Sequence, residues 1–318
     1  MRILVTGGAG FVGSNLAERL LADGHTVTVV DDLSGGSLTL LADCLPHQNF
    51  QFIQEDLLHL EALTGFMKSQ EVVFHLAANS NIPEGRRRTD IDLQLGTIAT
   101  YNVLEAMRRC GVNQIVFSSS SVVYGEPLMI PTPEDYGPLL PISLYGASKL
   151  ACEGLITAFC HNYNFQSWIC RFANITGRHG THGVIVDFIR KLQSDYRRLE
   201  ILGDGKQAKP YLLVDECVDG ILYIWKNARQ QVNYFNLGCE GATTTERLAQ
   251  LLLATMELKG VELVFTGGQR GWLGDVAQVR LDCRKLRELG WAAKRTSDEA
   301  VKQATVDLVE ELACKLSS

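Results

Sequence analysis

The chain has 318 residues, 46% of them hydrophobic and 21% charged, a globular composition in a length that is long for one domain and short for two large ones. Thirty basic residues against 36 acidic ones leave a formal net charge of −6, which argues against nucleic acid as the main partner because a phosphate backbone needs a basic face. No apolar run approaches the ~20 residues of a membrane span, so no membrane association is expected. The first residues run straight into Arg2-Ile3-Leu4-Val5 without a charged leader, and the nine cysteines contain no CxxC pair. Both features suit reduced thiols in a cytoplasmic protein. The seven histidines include no HExxH, and His179 and His182 sit in a glycine-rich loop without a converging ligand set, so no metal site is expected.

Six strand-like runs follow in chain order: Ile3–Thr6, Thr26–Val30, Phe50–Gln54, Val72–Leu76, Gln114–Ser118 and Gln166–Phe172. Amphipathic segments of helical length separate them, among them Asn15–Ala22 and Gly96–Cys110. The strands are apolar almost throughout instead of alternating, which predicts a parallel sheet covered by helices on both faces. Such a doubly wound α/β fold binds ligands beyond the carboxyl ends of its strands. After about Ile175 the rhythm loosens. A Gly/His loop (177–183), a helix over 184–193, strands near 199–202 and 211–214, and helices over 215–227, 245–256 and 297 onward are expected. The chain is therefore divided at 175, into residues 1–175 and a smaller substrate-binding part, 176–318, with the chain free to cross between them.

The run VTGGAGFVGSN places Gly7, Gly10 and Gly13 directly between a strand and a helix. Glycines there let the backbone approach a pyrophosphate whose charge meets the helix N-terminus. Asp31 and Asp32 close the second strand; a carboxylate at that point accepts from an adenosine ribose and repels a 2′-phosphate, which favours NAD over NADP. Asp56, after the third strand, is in place to reach the adenine, and Leu76-Ala77-Ala78 ends the fourth with small residues against which a cofactor can lie. His75, among apolar neighbours, reads as a packed strand histidine. The fifth strand ends in four serines, Ser118 to Ser121, and SLYGASK then sets Tyr145 and Lys149 four residues apart on one helix face. An ammonium beside a phenol is expected to favour the phenolate and make it a base.

TGGAGFVG, HLAA, YGASK, RFANITG and, near the end, GWLGDV with LDCRKLRELGW together resemble the extended short-chain dehydrogenase/reductase family, and within it the NAD-dependent nucleotide-sugar epimerases. The resemblance covers nearly the whole chain. It implies a Rossmann-type fold with NAD contacted by Gly7, Gly10, Phe11, Val12, Gly13, Asp31, Asp32, Asp56, Leu57, Leu76, Ala77, Ala78, Ser118, Tyr145, Lys149 and Phe172. It gives Tyr145 the role of base, Lys149 that of lowering the phenol pKa and holding the nicotinamide ribose, and Ser120 that of positioning the sugar oxygen. Ser121, Asn174, Val184, Ile185, Lys209, Arg270, Asp275 and Val279 join Ser120 and Tyr145 as expected substrate contacts.

The chain departs from the family pattern in informative places. Ser121-Val122-Val123 stands where dehydrating and decarboxylating relatives carry acids, so loss of water or carbon dioxide is disfavoured. Lys209 replaces an Arg, Trp272 occupies the usual Arg position with Arg270 two residues earlier, and Asp92-Leu93-Gln94 replaces an Asn near a Gly-Thr pair. Val279 stands where a Tyr excludes N-acetyl groups in some 4-epimerases, so room for an acetamido substituent is expected. The function expected is epimerisation at C4 of a UDP-hexose (glucose, glucuronate or N-acetylhexosamine form) through a transient 4-keto sugar, in a homodimer built on two helices. The alternative is a nucleotide-sugar or small-ketone oxidoreductase with net cofactor turnover.

Overall fold

A computed structural model describes residues 1–268, 276 and 278–316. From its start the chain alternates strand and helix: β1 (Arg2–Thr6), α1 (Phe11–Ala22), β2 (Thr26–Asp31), β3 (Phe50–Gln54), α2 (Leu60–Met67), β4 (Val72–His75), α3 (Ala99–Cys110), β5 (Gln114–Ser120), α4 (Leu144–Tyr163) and β6 (Gln166–Phe172). Shorter pieces follow, β7 (Asn174–Thr176), α5 (Val184–Ser194), β8 (Arg198–Ile201), β9 (Ala208–Lys209) and β10 (Tyr211–Leu213). Then come α6 (Val214–Asn227), β11 (Val232–Leu237), β12 (Thr243–Thr244), α7 (Thr245–Thr255), β13 (Glu262–Phe265), α8 (Arg284–Leu289) and α9 (Ser297–Leu316).

Seven strands form one sheet in the order β11-β6-β5-β4-β1-β2-β3. β1 pairs in parallel with both β2 and β4, β2 with β3, and β4 with β5. The chain winds outward one way from β1 and the other way from β4, so the order reverses between those two strands and opens a crevice at their carboxyl ends. Ile3, Leu4, Val5, Val72, Val73 and Phe74 are fully buried, as strands covered on both faces must be. On one face α2, α3 and α4 pack Met67, Leu104, Met107 and Ile156 against Ile115, Phe117 and Ile169.

Three local features differ from the sequence reading. β5 runs on to Ser120, and Ser121–Tyr124 forms a 3-10 turn, so the four serines straddle the strand end. The helix expected from Gly96 begins as a π-helical turn, Leu93–Ile98, before α3 takes over at Ala99; such a turn inserts one extra residue and is frequent near functional sites. β11, an edge strand with the mixed sequence VNYFNL, is absent from the expected strands, because Asn233 and Asn236 interrupt its apolar residues.

The chain divides into two compact units, one of Met1–Gly125, Gly137–Arg171 and Ile221–Phe235, the other of Glu126–Tyr136, Phe172–Gly220 and Asn236–Ser318. The second has its own core, in which Phe188, Ile189, Leu192, Leu248, Leu252, Val301 and Ala304 from α5, α7 and α9 close over Leu199, Ile201 and Leu213. Its short strands pair as β7 with β10, β8 with β13 and β9 with β12.

Candidate active site

The glycine turn is built by close approach. Gly7 has φ +68°, and a Cβ there would lie 2.6 Å from the main-chain nitrogen of Ala77 and 3.0 Å from the carbonyl carbon of Leu76. The ends of β1 and β4 therefore meet backbone to backbone. Gly13, in the first turn of α1, packs directly onto the carbonyl oxygen of Gly7, which only a residue without Cβ permits. Gly10 caps α1 and supplies no side-chain acceptor, so the N–H groups of Phe11, Val12 and Gly13 remain for an anion at the helix N-terminus.

Asp31 is buried at the end of β2. Its Oδ2 accepts from the Ala9 N–H at 3.0 Å and its Oδ1 from the Leu33 N–H at 2.8 Å, which ties the glycine turn to the strand end. Burial pushes its carboxyl above the usual range, against the pull of the two N–H groups. Each oxygen keeps a lone pair for a ribose hydroxyl. The Oδ1 of Asp32 takes the N–H and hydroxyl of Ser34. The Oδ1 of Asp56 accepts from the Leu58 N–H at 2.8 Å, and Leu57 is buried, its carbonyl receiving Asn102 Nδ2 at 3.0 Å. Leu76, Ala77 and Ala78 are half-buried just past β4. Glycines at the point of closest approach, open helix N–H groups and a carboxylate at the neighbouring strand end fit a dinucleotide.

Beside this turn stands the Tyr/Lys pair. Lys149 is buried in α4, and its Nζ donates to the carbonyl oxygen of Ser118 at 2.6 Å, above the Phe117 ring and 5.7 Å from the centre of the Tyr145 ring. Burial lowers the ammonium pKa to about 8. A Cβ on Gly146, the residue after Tyr145, would lie 3.0 Å from the carbonyl oxygen of Val122, so the start of α4 abuts the serine turn. Ser120 Oγ accepts from the Val122 N–H at 3.4 Å, which leaves its own O–H to donate elsewhere; Ser121 is buried in the turn. One expectation is corrected here. Burial, with the carboxylate of Asp92 adding to it, pushes the Tyr145 phenol above its ordinary value, so Lys149 alone does not favour the phenolate.

His75 is fully buried between two hydroxyls, Thr6 Oγ1 at 2.6 Å and Thr100 Oγ1 at 2.9 Å, and burial lowers its pKa to about 3. It stays neutral and serves as a structural bridge. Asp92, ahead of the π-helical turn, is also buried; its Oδ1 accepts from Asn79 Nδ2 at 3.0 Å and its carbonyl from Ser148 Oγ at 2.7 Å. Beneath the serines lies a buried network that is absent from the expected site residues, in which Glu153 joins Ser119 and Arg171. An acid one turn beyond Lys149 in an otherwise apolar stretch of α4, LACEGLIT, was the available signal.

In the second unit the expected substrate residues partly converge. Asn174 pairs with Tyr211 in the β7–β10 ladder and donates its N–H to Pro210. Gln278 bridges Ala208 in parallel and the Val279 N–H reaches the Ala208 carbonyl at 3.2 Å, which sets a half-buried Val279 next to Lys209. Val184 begins α5, whose Gly183 cap provides no side-chain acceptor. Ile185 differs from expectation: its side chain is buried in the helix core, so only its main chain is available to a ligand. Phe172 is buried. Arg270 and Asp275 lie outside the described residues.

Residues 3–238 match the model of the NAD dependent epimerase/dehydratase family. The chain is 35% identical to a UDP-glucose 4-epimerase of Mycolicibacterium smegmatis over 92% of its own length and 93% of that protein. Among solved structures, a UDP-galactose 4-epimerase superposes with TM-score 0.88 at 36% identity, covering 98% of this chain and 100% of that one. A UDP-glucose 4-epimerase of Thermotoga maritima, solved with UDP-glucose, superposes with TM-score 0.89 at 32% identity and the same coverage.

Proposed function

The chain belongs to the NAD-dependent epimerase/dehydratase family, and from that premise we infer that it inverts C4 of a UDP-hexose with NAD as its cofactor. The observation that carries the reading is Lys149, anchored to the Ser118 carbonyl beside Tyr145 and the serine turn, at the carboxyl end of β5. A net oxidoreductase is disfavoured, because UDP-glucose and UDP-galactose 4-epimerases are among the relatives that span the chain.

Each side chain has a distinct part. NAD, when bound, supplies the hydride acceptor and donor and, oxidised, a positive charge. Tyr145 Oη takes the proton of the C4 hydroxyl and later returns it, while Ser120 donates to the same oxygen and holds it in place. A phenol raised by burial gives up its proton only beside positive charge, and the Lys149 ammonium is the protein's own contribution to that charge. The N–H groups at the start of α1 and the Asp31 carboxylate hold the dinucleotide. Asn174, the main chain at Val184 and Ile185, and Lys209 take the nucleotide diphosphate of the substrate, and Val279 borders the sugar.

The active form is a homodimer in the cytoplasm, where NAD and nucleotide sugars are both supplied. Leu93, Ile98 and Tyr101 of the π-helical turn and α3, and Leu144 and Tyr163 of α4, are exposed apolar side chains on neighbouring helices, and a second copy would cover them. The decisive assay incubates the purified protein with UDP-glucose, UDP-glucuronate or UDP-N-acetylglucosamine, without added cofactor, and identifies the sugar by NMR. Conversion to the C4 epimer is expected. A reaction that requires added NADH and stops at reduction would overturn the reading.

A further inference from the structure

We propose that Glu153 and Arg171 are positioning residues of the reaction, a buried clamp that holds the serine turn of β5 in register with the helix carrying Tyr145 and Lys149. The inference rests on the function proposed above. Glu153 Oε1 accepts from Ser119 Oγ at 2.5 Å and from Arg171 Nε at 3.0 Å; its Oε2 accepts from Arg171 Nη2 at 2.8 Å. Arg171 Nη1 donates to Tyr124 Oη at 2.9 Å, and its guanidinium lies 4.9 Å over the Tyr124 ring. Ser119, Tyr124, Glu153 and Arg171 are all at least nine-tenths buried.

The placement is what matters. Ser119 stands between Ser118, whose carbonyl holds Lys149, and Ser120, and Tyr124 ends the turn that Ser121 begins. Glu153, one helical turn beyond Lys149, therefore holds one end of the segment that carries Ser120, and its partner Arg171 holds the other. A buried ion pair is weak support for stability, because desolvation offsets its attraction and apolar packing would serve as well. A bidentate Arg–carboxylate pair does, however, set direction and distance, which apolar packing does not.

The pair also acts on Lys149 through charge. The groups facing that ammonium are Asp92, Cys152 and Glu153, which support it, and Tyr145 and a neutral His75. Glu153→Gln removes one supporting anion and leaves the Arg171 cation in place. Arg171→Met leaves the carboxylate without its counter-ion. The two changes must move the loss of the Lys149 proton in opposite directions, which a purely structural role would not do.

The test is the pH dependence of kcat and KM for wild type, Glu153→Gln, Arg171→Met and Ser119→Ala on a UDP-hexose that the wild type epimerises. Both charge variants should lose about 10-fold or more in kcat with KM within about threefold, the scale of a misplaced catalytic group. The basic limb should move to lower pH in Glu153→Gln and to higher pH in Arg171→Met. Ser119→Ala, which removes only a hydroxyl, should lose several-fold in kcat with its limb in place. Limbs that move together, or a kcat unchanged in Ser119→Ala, overturn the clamp, and the second criterion holds even if the charge variants do not fold. Because the wild-type rate is measured alongside, an active wild type with matching variants overturns the clamp alone, and the proposed function stands.

Discussion

Replacing Gly7 with alanine probes the fold and the cofactor site together. A Cβ at this position would meet the nitrogen of Ala77 at 2.6 Å, its Cα at 2.7 Å and the carbonyl carbon of Leu76 at 3.0 Å. Carbon contacts are favourable only from about 3.5 Å, so the Ala77 backbone would have to retreat by roughly 0.8 Å. It is not free to do so, because the Leu76 N–H is bonded to the Thr6 carbonyl and β4 is paired to β1 along its length. The left-handed φ costs a residue with a Cβ about 1–2 kcal/mol, and overpacking of this kind adds about 1–3 kcal/mol. A loss of about 2–5 kcal/mol is expected from these two contributions. Gly24→Ala separates them: its φ is +82° but no atom of the described residues lies within 4 Å of an added Cβ, so it should show only the backbone cost. Urea unfolding of both variants, with the NAD content of each purified protein, gives the comparison. A Gly7→Ala protein no less stable than Gly24→Ala, with wild-type NAD content, would refute the close-approach argument.

Tyr145→Phe should lower kcat about 10²-fold or more while bound NAD and KM change little, the scale for removing a general base; near-normal turnover in single-turnover assays would remove Tyr145 from the mechanism. Because the Lys149 ammonium is lowered to about 8, its charge is present below that pH and lost as pH rises through it, so kcat should fall across that range; a rate flat well above pH 8 would contradict the role given to Lys149. The wild-type protein should release NAD and not NADP on heat denaturation. Asp31→Ala, which strips the acceptors from the Ala9 and Leu33 N–H groups, should be purified largely without it, both read by chromatography of the supernatant. Val279→Tyr should reduce kcat/KM for a UDP-N-acetylhexosamine selectively over the plain UDP-hexose, by the ~1–3 kcal/mol that separates a filled apolar pocket from an open one; an unchanged ratio would show that Val279 does not border the sugar.

Much of this protein could be read along the chain, because its signals are local. Strands that are apolar almost throughout announce a sheet covered on both faces, and β1 to β6 appear within two residues of where that pattern puts them. A glycine turn between strand and helix, an acid at the next strand end, and a Tyr and Lys four apart are short-range geometries that sequence spacing dictates. The edge strand β11 carries no such local signal: VNYFNL has no single period, and it is a strand because β6 offers it a ladder.

What only the tertiary structure decided is how side chains distant in sequence share one interior. The sequence places Lys149 near Tyr145, but its ammonium turns to the Ser118 carbonyl, and burial, which no spacing reveals, raises the phenol and lowers the amine. Asp31 is legible as a ribose acceptor, yet its carboxylate also ties down the glycine turn through Ala9. Glu153 and Arg171 lie 18 residues apart, on a helix and on a strand, and their pairing beneath the serines exists only once α4 has packed against the sheet. Local pattern suffices where a few adjacent residues set the backbone; the protonation and placement of buried charges depend on everything packed around them, and that is a property of the folded chain.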